Sequence, residues 1–492
     1  MSPLPTSLYQ AAQVRELDRI AIEEYGIASI DLMERAGQAA WALFQTAWPN
    51  TKRLAVICAG GNNAGDGYIL ARLALASGYT VQVLTLTDPA RLQGDAKTAA
   101  ARLIESGAVC EVFSEGCLTD RDVIVDAILG TGLDRKVSGD YAGAIEAINR
   151  SGKAVFSIDI PSGLHADTGR IMGTAVKADI TLTFIGLKQG LFTGQGAECC
   201  GKVLFSDLDV PGDIYLAVSR SAQRIDADYI DRLLARRSRT GHKGDYGHVL
   251  IIGGDYGFAG AALMAGKAAA RVGAGLVSVA TRPQHAAAIP LAMPEVMSHG
   301  VTAAVDLNPL LERATVIAIG PGLGQHAWGM ALLARVLESK LPIVADADAL
   351  NLIARDPSRS EQWILTPHPG EAARLLGSSS AEVQADRFKS ARALQKKFGG
   401  VIVLKGSGTV IADDEGALSV CSAGNPGMAT GGMGDVLTGV IAGFLAQGFQ
   451  AGEAARLGVC VHAAAADKVA AEGERGMLAT DLMPWLRRLA NP

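Results

Sequence analysis

Residues 423–435, AGNPGMATGGMGD, precede the apolar run 436–445, VLTGVIAGFL, and together they decide how the second half of the chain folds. The apolar run predicts a buried helix, and the stretch before it holds five glycines and one proline. Glycines without Cβ atoms leave backbone N–H groups free to reach an anion at the positive end of a helix. Asp435 adds a carboxylate at the helix start. The stretch therefore favours phosphoryl chemistry with Asp435 as the base, and the alternative is a flexible turn in which Asp435 only caps the helix.

Other strands predicted in the same half are followed by loops that carry glycine, aspartate or histidine. Apolar strands are predicted at 249–252, 315–319, 341–345, 363–365 and 401–404. Parallel strands bring their carboxyl ends to one edge of a sheet, where open α/β proteins bind their ligands. The second half is therefore predicted to be a parallel α/β domain with its active site along that edge.

Two side chains in these loops have roles that the pattern leaves open. His368 stands between two prolines, which present it rigidly, and a structural and a functional role are equally compatible with that position. Lys405, with Gly406 and Gly408 after it, suits a nucleotide phosphate or ribose. The chain has no Walker A pattern, which disfavours a P-loop NTPase.

The first half contains a strand, a glycine-rich loop, a helix and a strand in that order. The apolar strand 54–59 runs into the loop 60–67, GGNNAGDG, and a helix at 68–77 and a strand at 80–86 are predicted next. This order indicates a right-handed βαβ unit whose ligand binds beyond the carboxyl end of the strand. The loop departs from the GxGxxG spacing of dinucleotide-binding domains. Its asparagine and aspartate oxygens suit a phosphate together with a weakly held cation, and a purely structural turn is the alternative.

Two aspartates lie within strand-like apolar segments of this half. Asp126 belongs to DVIVDAIL, 122–129, and Asp159 belongs to AVFSIDI, 154–160. A buried carboxylate is costly unless a cation or hydrogen bonds compensate it. One such residue alone is more often structural, but two at strand ends beside a glycine loop indicate a shared polar site.

The segments NNAGDG, DAILGTGL and DIPSG make residues 1–210 similar to the YjeF N-terminal family of NAD(P)H-hydrate epimerases. The resemblance implies a Rossmann-like three-layer domain that interconverts the R and S epimers of hydrated NADH and NADPH (NADHX and NADPHX) at C6 of the ring. It also implies a potassium ion held by Asn63, Asp126 and Ser162, whose oxygen donors suit a hard monovalent cation. Asp159 is the predicted catalytic acid or base, with Asp126 as a second candidate. The substrate-binding residues implied are Asn62, Asn63, Ala64, Gly65, Asp66, Gly130, Thr131, Gly132, Leu133, Asp134, Arg135, Lys136 and Asp159.

The segments HKGDYGHVLIIGG, GPGLG, DADAL, TPHPGE, KGSG and NPGMATGGMGDVLTG, within 225–490, resemble the NAD(P)H-hydrate dehydratase family of the ribokinase-like superfamily. The resemblance implies a ribokinase-like α/β domain. The residues that it places on the hydrate are Ala261, Gly322, His368 and Asp435, and those on the adenine nucleotide are Lys405, Gly406, Ser407, Gly408, Thr409 and Gly434.

In the reaction that this second resemblance implies, Asp435 removes the proton of the C6 hydroxyl group of the S hydrate. That oxygen accepts the terminal phosphoryl group of ADP, with Mg²⁺ as the cofactor, and phosphate then leaves as the dihydronicotinamide ring is restored. The products are NAD(P)H, AMP and phosphate. The epimerase would supply the S form to the dehydratase, so that the two halves form one pathway. No residue pattern separates ADP from ATP.

Two other functions are weighed against this one. A small-molecule kinase, acting on a hydroxymethylpyrimidine or a sugar and carrying an appended Rossmann-like domain, would share the Asp435 loop. The TPHPGE segment and the NNAGDG domain argue against it. A non-catalytic nucleotide sensor would be favoured by the loss of Asp435 or Asp126, and both residues are present.

The composition sets bounds on the whole chain. At 492 residues, two or more domains are expected, and they are predicted at 1–214 and 222–492. The net charge of −5 gives no indication of a nucleic-acid or membrane partner. The seven cysteines are scattered, without a CxxC pair, which favours reduced thiols and a cytoplasmic protein. The resemblance also implies a homo-oligomer, a tetramer or larger.

Overall fold

The computed structural model describes residues 4–491, and it divides between Gln223 and Arg224 into two compact units. Each unit has hydrophobic clusters of its own. The predicted domains, 1–214 and 222–492, include residues 1–3 and 492, which lie outside the described part. Among residues 4–491, no helix has both the length and the apolarity that crossing a membrane requires.

The first unit is built on a parallel sheet. Its strands are β1 (Ser7–Tyr9), β2 (Arg53–Cys58), β3 (Thr80–Thr85), β4 (Cys110–Val112), β5 (Val123–Ala127), β6 (Ala154–Ile158), β7 (Ile180–Phe184), β8 (Leu187–Lys188), β9 (Lys202–Ser206) and β10 (Ala222–Ile225), the last of which contains the division between the units. The parallel order is β4-β3-β2-β5-β6-β7-β9. β1 pairs with β8 and with the start of β10.

Helices cover both faces of this sheet. They are α1 (Ala11–Glu23), α2 (Ser29–Ala47), α3 (Asn62–Ala76), α4 (Gly94–Glu105), α5 (Gly139–Arg150), α6 (Gly196–Cys199) and α7 (Ile214–Ala217). Leu54 and Val56 of β2 join one core cluster with residues of α1 to α4, whereas Ala55 and Ile57 join the other cluster with residues of α5. Alternate strand residues point to opposite faces. The predicted Rossmann-like three-layer fold is therefore confirmed.

The glycine segment 60–67 differs from its prediction as a loop, because helix α3 begins inside it at Asn62. A Cβ atom on Gly65 would lie 2.4 Å from the sulfur of Met33 in α2, and one on Gly67 would lie 2.6 Å from Cβ of Ala127 in β5. These glycines therefore allow close packing of α3, whereas the sequence pattern alone predicted a loop suited to a phosphate and a cation.

The second unit is also built on a parallel sheet. Its strands are β11 (His248–Ile252), β12 (Leu276–Thr281), β13 (Met297–Gly300), β14 (Val316–Ile319), β15 (Ile343–Ala345), β16 (Trp363–Leu365), β17 (Val401–Leu404), β18 (Thr409–Ala412) and β19 (Leu418–Cys421). The order is β13-β12-β11-β14-β15-β16-β17-β18-β19. The strands from β13 to β17 are parallel, as predicted. The antiparallel pair β18 and β19, which follows the KGSG segment, was not predicted.

The helices of the second unit pack closely through small residues. They are α8 (Ala227–Leu233), α9 (Ala259–Arg271), α10 (Pro283–Ala286), α11 (Ile289–Ala292), α12 (Asn308–Leu311), α13 (Ala327–Leu337), α14 (Ala347–Arg355), α15 (Pro369–Leu376), α16 (Ser380–Ala385), α17 (Arg387–Phe398), α18 (Met433–Ala446), α19 (Ala451–Ala470) and α20 (Met483–Leu489). A Cβ atom on Gly439 of α18 would lie 2.0 Å from the carbonyl oxygen of Ala265 in α9. Helix α18, predicted as buried, is thus fixed tightly among its neighbours.

Candidate active sites at two sheet edges

In the first unit, a cavity of about 660 Å³ opens at the carboxyl ends of β2, β5 and β6. The predicted substrate-binding residues that line it are Asn62, Asn63, Asp66, Gly130, Thr131, Gly132, Leu133, Asp134, Arg135 and Asp159. Ala64 and Gly65 are instead buried within α3. Lys136 packs beside Gly173, where its Cγ would lie 3.0 Å from an added Cβ atom. The edge of the sheet therefore brings most of the predicted segments into one cavity.

Asp126 is fully buried at the end of β5, where hydrogen bonds compensate its carboxylate. The Ser162 hydroxyl donates to Oδ1 at 2.5 Å, and the Ser162 backbone N–H donates to Oδ2 at 2.9 Å. The Ser157 hydroxyl also donates to Oδ2, at 2.8 Å. Desolvation nevertheless raises the pKa of Asp126. The carboxylate is held by neutral donors alone among the described residues, so its negative charge has no cation beside it in residues 4–491.

Asn63 supplies an independent sign of a ligand near this network. Its side-chain oxygen and nitrogen are both buried, and neither has a hydrogen-bond partner among residues 4–491. Its Cβ would lie 3.3 Å from a Cβ atom on Gly130, next to Leu129, whose N–H donates to the Ser162 hydroxyl oxygen at 2.8 Å. Buried polar groups are nearly always paired. An amide oxygen, a hydroxyl and a carboxylate form a donor set that fits a hard cation such as K⁺, and no cluster of His, Cys, Asp or Glu in the described chain offers a softer site.

Asp159 follows β6 with a backbone φ of 66°, a left-handed conformation that few residues other than glycine adopt. Its carboxylate forms an ion pair with Lys188 and lies 3.4 Å from the Thr183 hydroxyl. The Lys188 ammonium also donates to the Thr183 hydroxyl at 2.9 Å and to the Phe184 carbonyl at 3.1 Å. Sequence reasoning missed Lys188, and the signal that could have revealed it is a lysine between two buried segments.

Two further carboxyl groups line the same cavity, from Asp18 of α1 and Asp66 of α3. Desolvation raises the pKa of Asp66 well above its ordinary value, and Asp159 and Asp18 add to that rise. Desolvation likewise raises the pKa of Asp18 to about 6, partly offset by Lys188. Asp18 was not predicted as a site residue. The sequence signal that could have revealed it is an acidic residue on the helix face that otherwise carries the apolar residues Leu17 and Ala21.

In the second unit, the start of α18 meets the loops that follow β15 and β17. A Cβ atom on Gly434 would lie 3.3 Å from both Asp346 Oδ2 and Lys405 Nζ. Gly432 begins the helix in a left-handed conformation, and Asp435 lies in the first turn. Three of the predicted residues, Gly434, Asp435 and Lys405, are thus brought together at the sheet edge.

An ion-pair network surrounds Lys405. Its ammonium lies 2.6 Å from Asp346 Oδ1 and 3.9 Å from Glu371 Oε2. The Thr438 hydroxyl of α18 donates to Asp346 Oδ2 at 2.9 Å. Desolvation raises the pKa of Asp435 to about 6, and the charge of Asp346 contributes to that rise. Desolvation also raises the pKa of Glu371, to about 7. The network therefore holds several carboxyl groups around one lysine.

His368 caps the N-terminus of α15. Its Nδ1 accepts a hydrogen bond from the Gly370 N–H at 2.9 Å, so the ring proton of the neutral form is on Nε2, which lies 3.4 Å from Glu371 Oε1. Desolvation and the charges of Lys405 and Arg374 lower the pKa of His368. The ring is neutral at physiological pH, with one half-exposed N–H that can donate.

The loop from Lys405 to Thr409 is fixed from behind by Arg387 of α17. This buried guanidinium donates to the Leu404 carbonyl at 3.0 Å and to the Lys405 carbonyl at 3.2 Å. The Thr409 hydroxyl donates to the Gly406 carbonyl at 3.1 Å. Arg387 lies in a helix that carries none of the predicted motifs, so its supporting role was not evident from the sequence.

Ala261 and Gly322 meet at the ends of β11 and β14. A Cβ atom on Gly322 would lie 3.4 Å from Ala261 Cβ and 2.5 Å from Phe258 Cβ. The same loop continues to Gly324, whose N–H donates to Asp348 Oδ2 at 2.9 Å. The charge of Asp348 raises the pKa of Asp435, so this loop and the α18 start belong to one electrostatic site.

The sequence matches two family models, one in each unit. Residues 29–190 match the model of the YjeF-related protein N-terminus, and residues 249–488 match that of NAD(P)H-hydrate dehydratase. A bifunctional NAD(P)H-hydrate repair enzyme of Coxiella burnetii is 51% identical over 99% of this chain and 100% of its own length. The chain belongs to the family of bifunctional NAD(P)H-hydrate repair enzymes. The resemblance predicted from the sequence motifs is therefore confirmed.

Another member and one solved structure agree with this assignment. The bifunctional NAD(P)H-hydrate repair enzyme of Escherichia coli is 44% identical over 99% of this chain and 95% of its own length. A ribokinase-like superfamily protein from Enterococcus faecalis is 32% identical, with a TM-score of 0.51, and covers 54% of this chain and 94% of its own. The ribokinase-like fold predicted for the second half is confirmed.

Proposed function

We propose that this chain repairs hydrated nicotinamide cofactors through an epimerase in residues 1–214 and an ADP-dependent dehydratase in residues 222–492. The epimerase interconverts the R and S hydrates, and the dehydratase returns the S form to NADH or NADPH. The observation that carries the proposal is the presence of a separate polar site in each unit, in a chain aligned over 99% of its length with a bifunctional repair enzyme.

In the dehydratase, Asp435 takes the proton of the C6 hydroxyl group as the hydroxyl oxygen attacks the terminal phosphoryl group of ADP. A pKa of about 6 leaves most of this carboxyl group ionised at neutral pH and close to the optimum for a general base. Its place in the first turn of α18 puts it beside the free backbone N–H groups of the helix start, which stabilise the charge on the transferring group. Phosphate then leaves C6 and a proton leaves C5 to the solvent, so that the C5=C6 double bond of the dihydronicotinamide ring forms, and AMP is released.

The nucleotide is held by residues 405–409 and Gly434 in this proposal. Lys405 faces the phosphates, and Arg387 keeps the loop in place through its backbone carbonyls. Mg²⁺, when bound, neutralises phosphate charge, and Asp346 and Glu371 are oxygen donors of the kind that it takes.

The hydrate is oriented by the neutral His368 ring, which donates from Nε2. Ala261 and Gly322 form the small-residue wall on which its ring rests. Because neither residue carries a long side chain, a flat ring can approach the backbone at the ends of β11 and β14.

In the epimerase, Asp159 is the acid or base, and residues 62–66 and 130–136 bind the substrate. Potassium, when bound, supplies positive charge, and Asn63, Asp126 and Ser162 are the residues that would hold it. The unpaired amide oxygen of Asn63 and the Asp126 carboxylate, which has no described cation partner, support that part of the proposal.

Mixed epimers of NADH hydrate, incubated with the protein and ADP, test the proposal through recovery of the dihydronicotinamide absorbance. Full recovery is expected, because the epimerase supplies the S form as the dehydratase consumes it. Recovery that stops at the S fraction contradicts the epimerase. A stable phosphorylated product on an unrelated alcohol, without recovery of NADH, would support a small-molecule kinase instead.

The proposal extends to the assembly and location predicted from the sequence. A homo-oligomer of four or more copies is expected, and sedimentation of the purified protein measures it. A cytoplasmic location is supported by the seven free cysteines, and fractionation of cells that produce the protein tests it.

A further inference from the structure

The cavity of the first unit concentrates carboxyl groups around a single lysine. Asp18, Asp66, Asp159 and Lys188 all line it. Lys188 is 1% exposed, and its ammonium group is fully used by Asp159, the Thr183 hydroxyl and the Phe184 carbonyl. Because this cation is committed to Asp159, it leaves the other two carboxyl groups without a direct partner.

The Asp66 carboxyl group differs from Asp159 in its surroundings. It is buried on α3, and no residue in 4–491 donates a hydrogen bond or forms an ion pair with it. Ionisation of Asp66 would place a further negative charge near Asp159 and Asp18, while Lys188, the nearby cation, is already paired with Asp159. An uncompensated buried carboxylate is costly enough that it takes up a proton instead.

We propose that the Asp66 carboxyl group is the proton donor of the epimerase site, acting together with the Asp159 carboxylate, which forms an ion pair with Lys188. This inference rests on the proposed epimerase function and names the donor that the motifs leave open. Lys188 is a positioning residue, since it acts through Asp159.

The raised pKa of Asp66 and the position of the Asp159 carboxylate agree with these two roles. The pKa of Asp66 is raised well above its ordinary value, by desolvation first and by Asp159 and Asp18 next. The Asp159 Oδ2 atom, the oxygen that does not contact Lys188, would lie 3.8 Å from a Cβ atom on Gly130, in the loop that lines the cavity. One acid and one base at one cavity are the pair that proton transfer in both directions requires.

The Asp66 carboxyl proton moves to the C6 hydroxyl oxygen, the C–O bond breaks, and the lone pair of the ring nitrogen forms a C=N double bond as water leaves. Water adds to the opposite face of C6, the double-bond electrons return to nitrogen, and Asp159 takes the proton that the new hydroxyl releases. Return of that proton from Asp159 to Asp66 completes the cycle, and one water is lost for each water gained.

The charged groups that line the cavity together with Asp66 come from several elements. They are Arg15 and Asp18 of α1, Asp134 and Arg135 of the loop after β5, Asp159 after β6, and Lys188 of β8, whereas α2 lines the cavity with the uncharged residues Ser29, Leu32, Met33 and Ala36. Asp18, with a pKa of about 6, is ionised above neutral pH and there strengthens the hold of Asp66 on its proton.

The test follows the interconversion of NADH hydrate epimers by the full-length protein without ADP, with chromatographic separation of the two forms. Asp66→Asn is expected to lower kcat for epimerisation about 100-fold or more, the usual contribution of a general acid, with a much smaller change in KM and with the unfolding temperature little changed. Asp140→Asn, at an exposed position early in α5, is the control and keeps the wild-type rate. A variant at Asp66 that retains a third or more of that rate overturns the proposal.

Two measurements distinguish failure of this proposal from failure of the proposed epimerase function and from misfolding of the variant. Wild-type protein that does not interconvert the epimers overturns the proposed epimerase and this inference together, whereas an active wild type with an active Asp66→Asn variant overturns the inference alone. If Asp66→Asn does not fold, the wild-type profile of kcat/KM against pH decides. It must fall on the alkaline side as the donor loses its proton, and a profile without that fall overturns the proposal.

Lys188→Met tests the positioning role. Removal of the cation beside Asp159 is expected to lower kcat for epimerisation about 10-fold or more, because the carboxylate is no longer held in place, whereas Lys188→Arg keeps a cation there and is expected to retain most of the wild-type kcat. A folded Lys188→Met variant with the wild-type kcat, or equal losses in the two variants, would overturn the role given to Lys188.

Discussion

The two sheet edges differ in how they compensate a buried carboxylate. Asp126, in the first unit, is held by hydroxyl and backbone donors, and Asn63 nearby has unpaired amide atoms. Asp346, in the second unit, is held by the ammonium of Lys405. Neutral donors leave negative charge for an added cation to balance, whereas a lysine satisfies the charge permanently. This difference supports the proposal that the first edge takes a metal ion and that the second takes an anionic nucleotide, which Lys405 would also contact.

The two glycine-rich segments, 60–67 and 423–435, also differ in what their glycines do. Gly65 and Gly67 sit inside α3 and allow it to pack against α2 and β5. Gly432 has a φ of 92° and caps the start of α18, and a Cβ atom added to Gly431 just before it would have no atom of residues 4–491 within 4 Å. The same compositional signal thus serves close packing at one edge and exposed N–H groups at the other.

The largest expected effect separates the chemistry of the two edges. Asp435→Asn should lower the ADP-driven conversion of S hydrate to NADH about 1000-fold, because the amide cannot accept the hydroxyl proton. Epimerisation of the hydrates should continue at the wild-type rate, since that site lies in the other unit. Assay of both reactions on the same preparation checks this, and conversion retained in the variant would remove Asp435 from its role.

A substitution of Lys405 tests the contrast between a buried carboxylate that is paired with a lysine and one that is held by neutral hydrogen-bond donors. Lys405→Met leaves the Asp346 carboxylate buried without its cation, which should cost about 4 kcal/mol in the unfolding free energy of the second unit. Calorimetry of the full chain measures it. Lys177→Met breaks an exposed pair with Glu198, so it is the control and should leave the transition unmoved. Equal effects from both substitutions would contradict the contrast.

The pH dependence of stability sharpens the account of Asp435. Its folded pKa of about 6 lies above the ordinary 3.8, so the folded state binds its proton more tightly and loses stability as pH rises through that window. The loss is up to about 3 kcal/mol. Asp435→Asn should therefore unfold at a higher temperature than wild type at pH 7 and at the same temperature near pH 4. A variant that is less stable at pH 7 would show that the carboxylate is stabilising there.

The smallest expected effect tests the two uses of glycine. Gly67→Ala places a methyl group 2.6 Å from Ala127 Cβ and 3.0 Å from Cys58 Sγ, which should cost about 2 kcal/mol. Gly431→Ala meets open space and should change the unfolding free energy by less than about 0.5 kcal/mol. Thermal unfolding of both variants gives the comparison. A neutral Gly67→Ala would mean that α3 has room to shift.

Much of the fold was predictable because parallel strands have a strong local signature. Apolar runs that end in glycine or aspartate located β2, β5, β6 and the strands from β14 to β17, and dense motifs identified the family. The start of α3 was missed because the glycine pattern cannot reveal that Met33 and Ala127 crowd it. The antiparallel strands β18 and β19 were missed because apolar and polar residues do not alternate strongly in these short segments.

The candidate sites were predictable only where a residue belongs to a motif. Asp435 and Asp159 were found in this way, and their roles stay predictions. Lys188 was missed because its partner Asp159 is 29 positions away, and only the fold brings the two together. Arg387 was missed because it holds the loop 405–409 through backbone carbonyl groups, which any sequence would supply.

The most direct test of the two-site account starts from the R hydrate of NADH alone, with ADP and the full-length protein. NADH is expected to appear much faster than the uncatalysed interconversion of the epimers allows, and only the S hydrate is expected to accumulate beside the R form when ADP is left out. NADH formed no faster than the uncatalysed interconversion permits would contradict the two-site account.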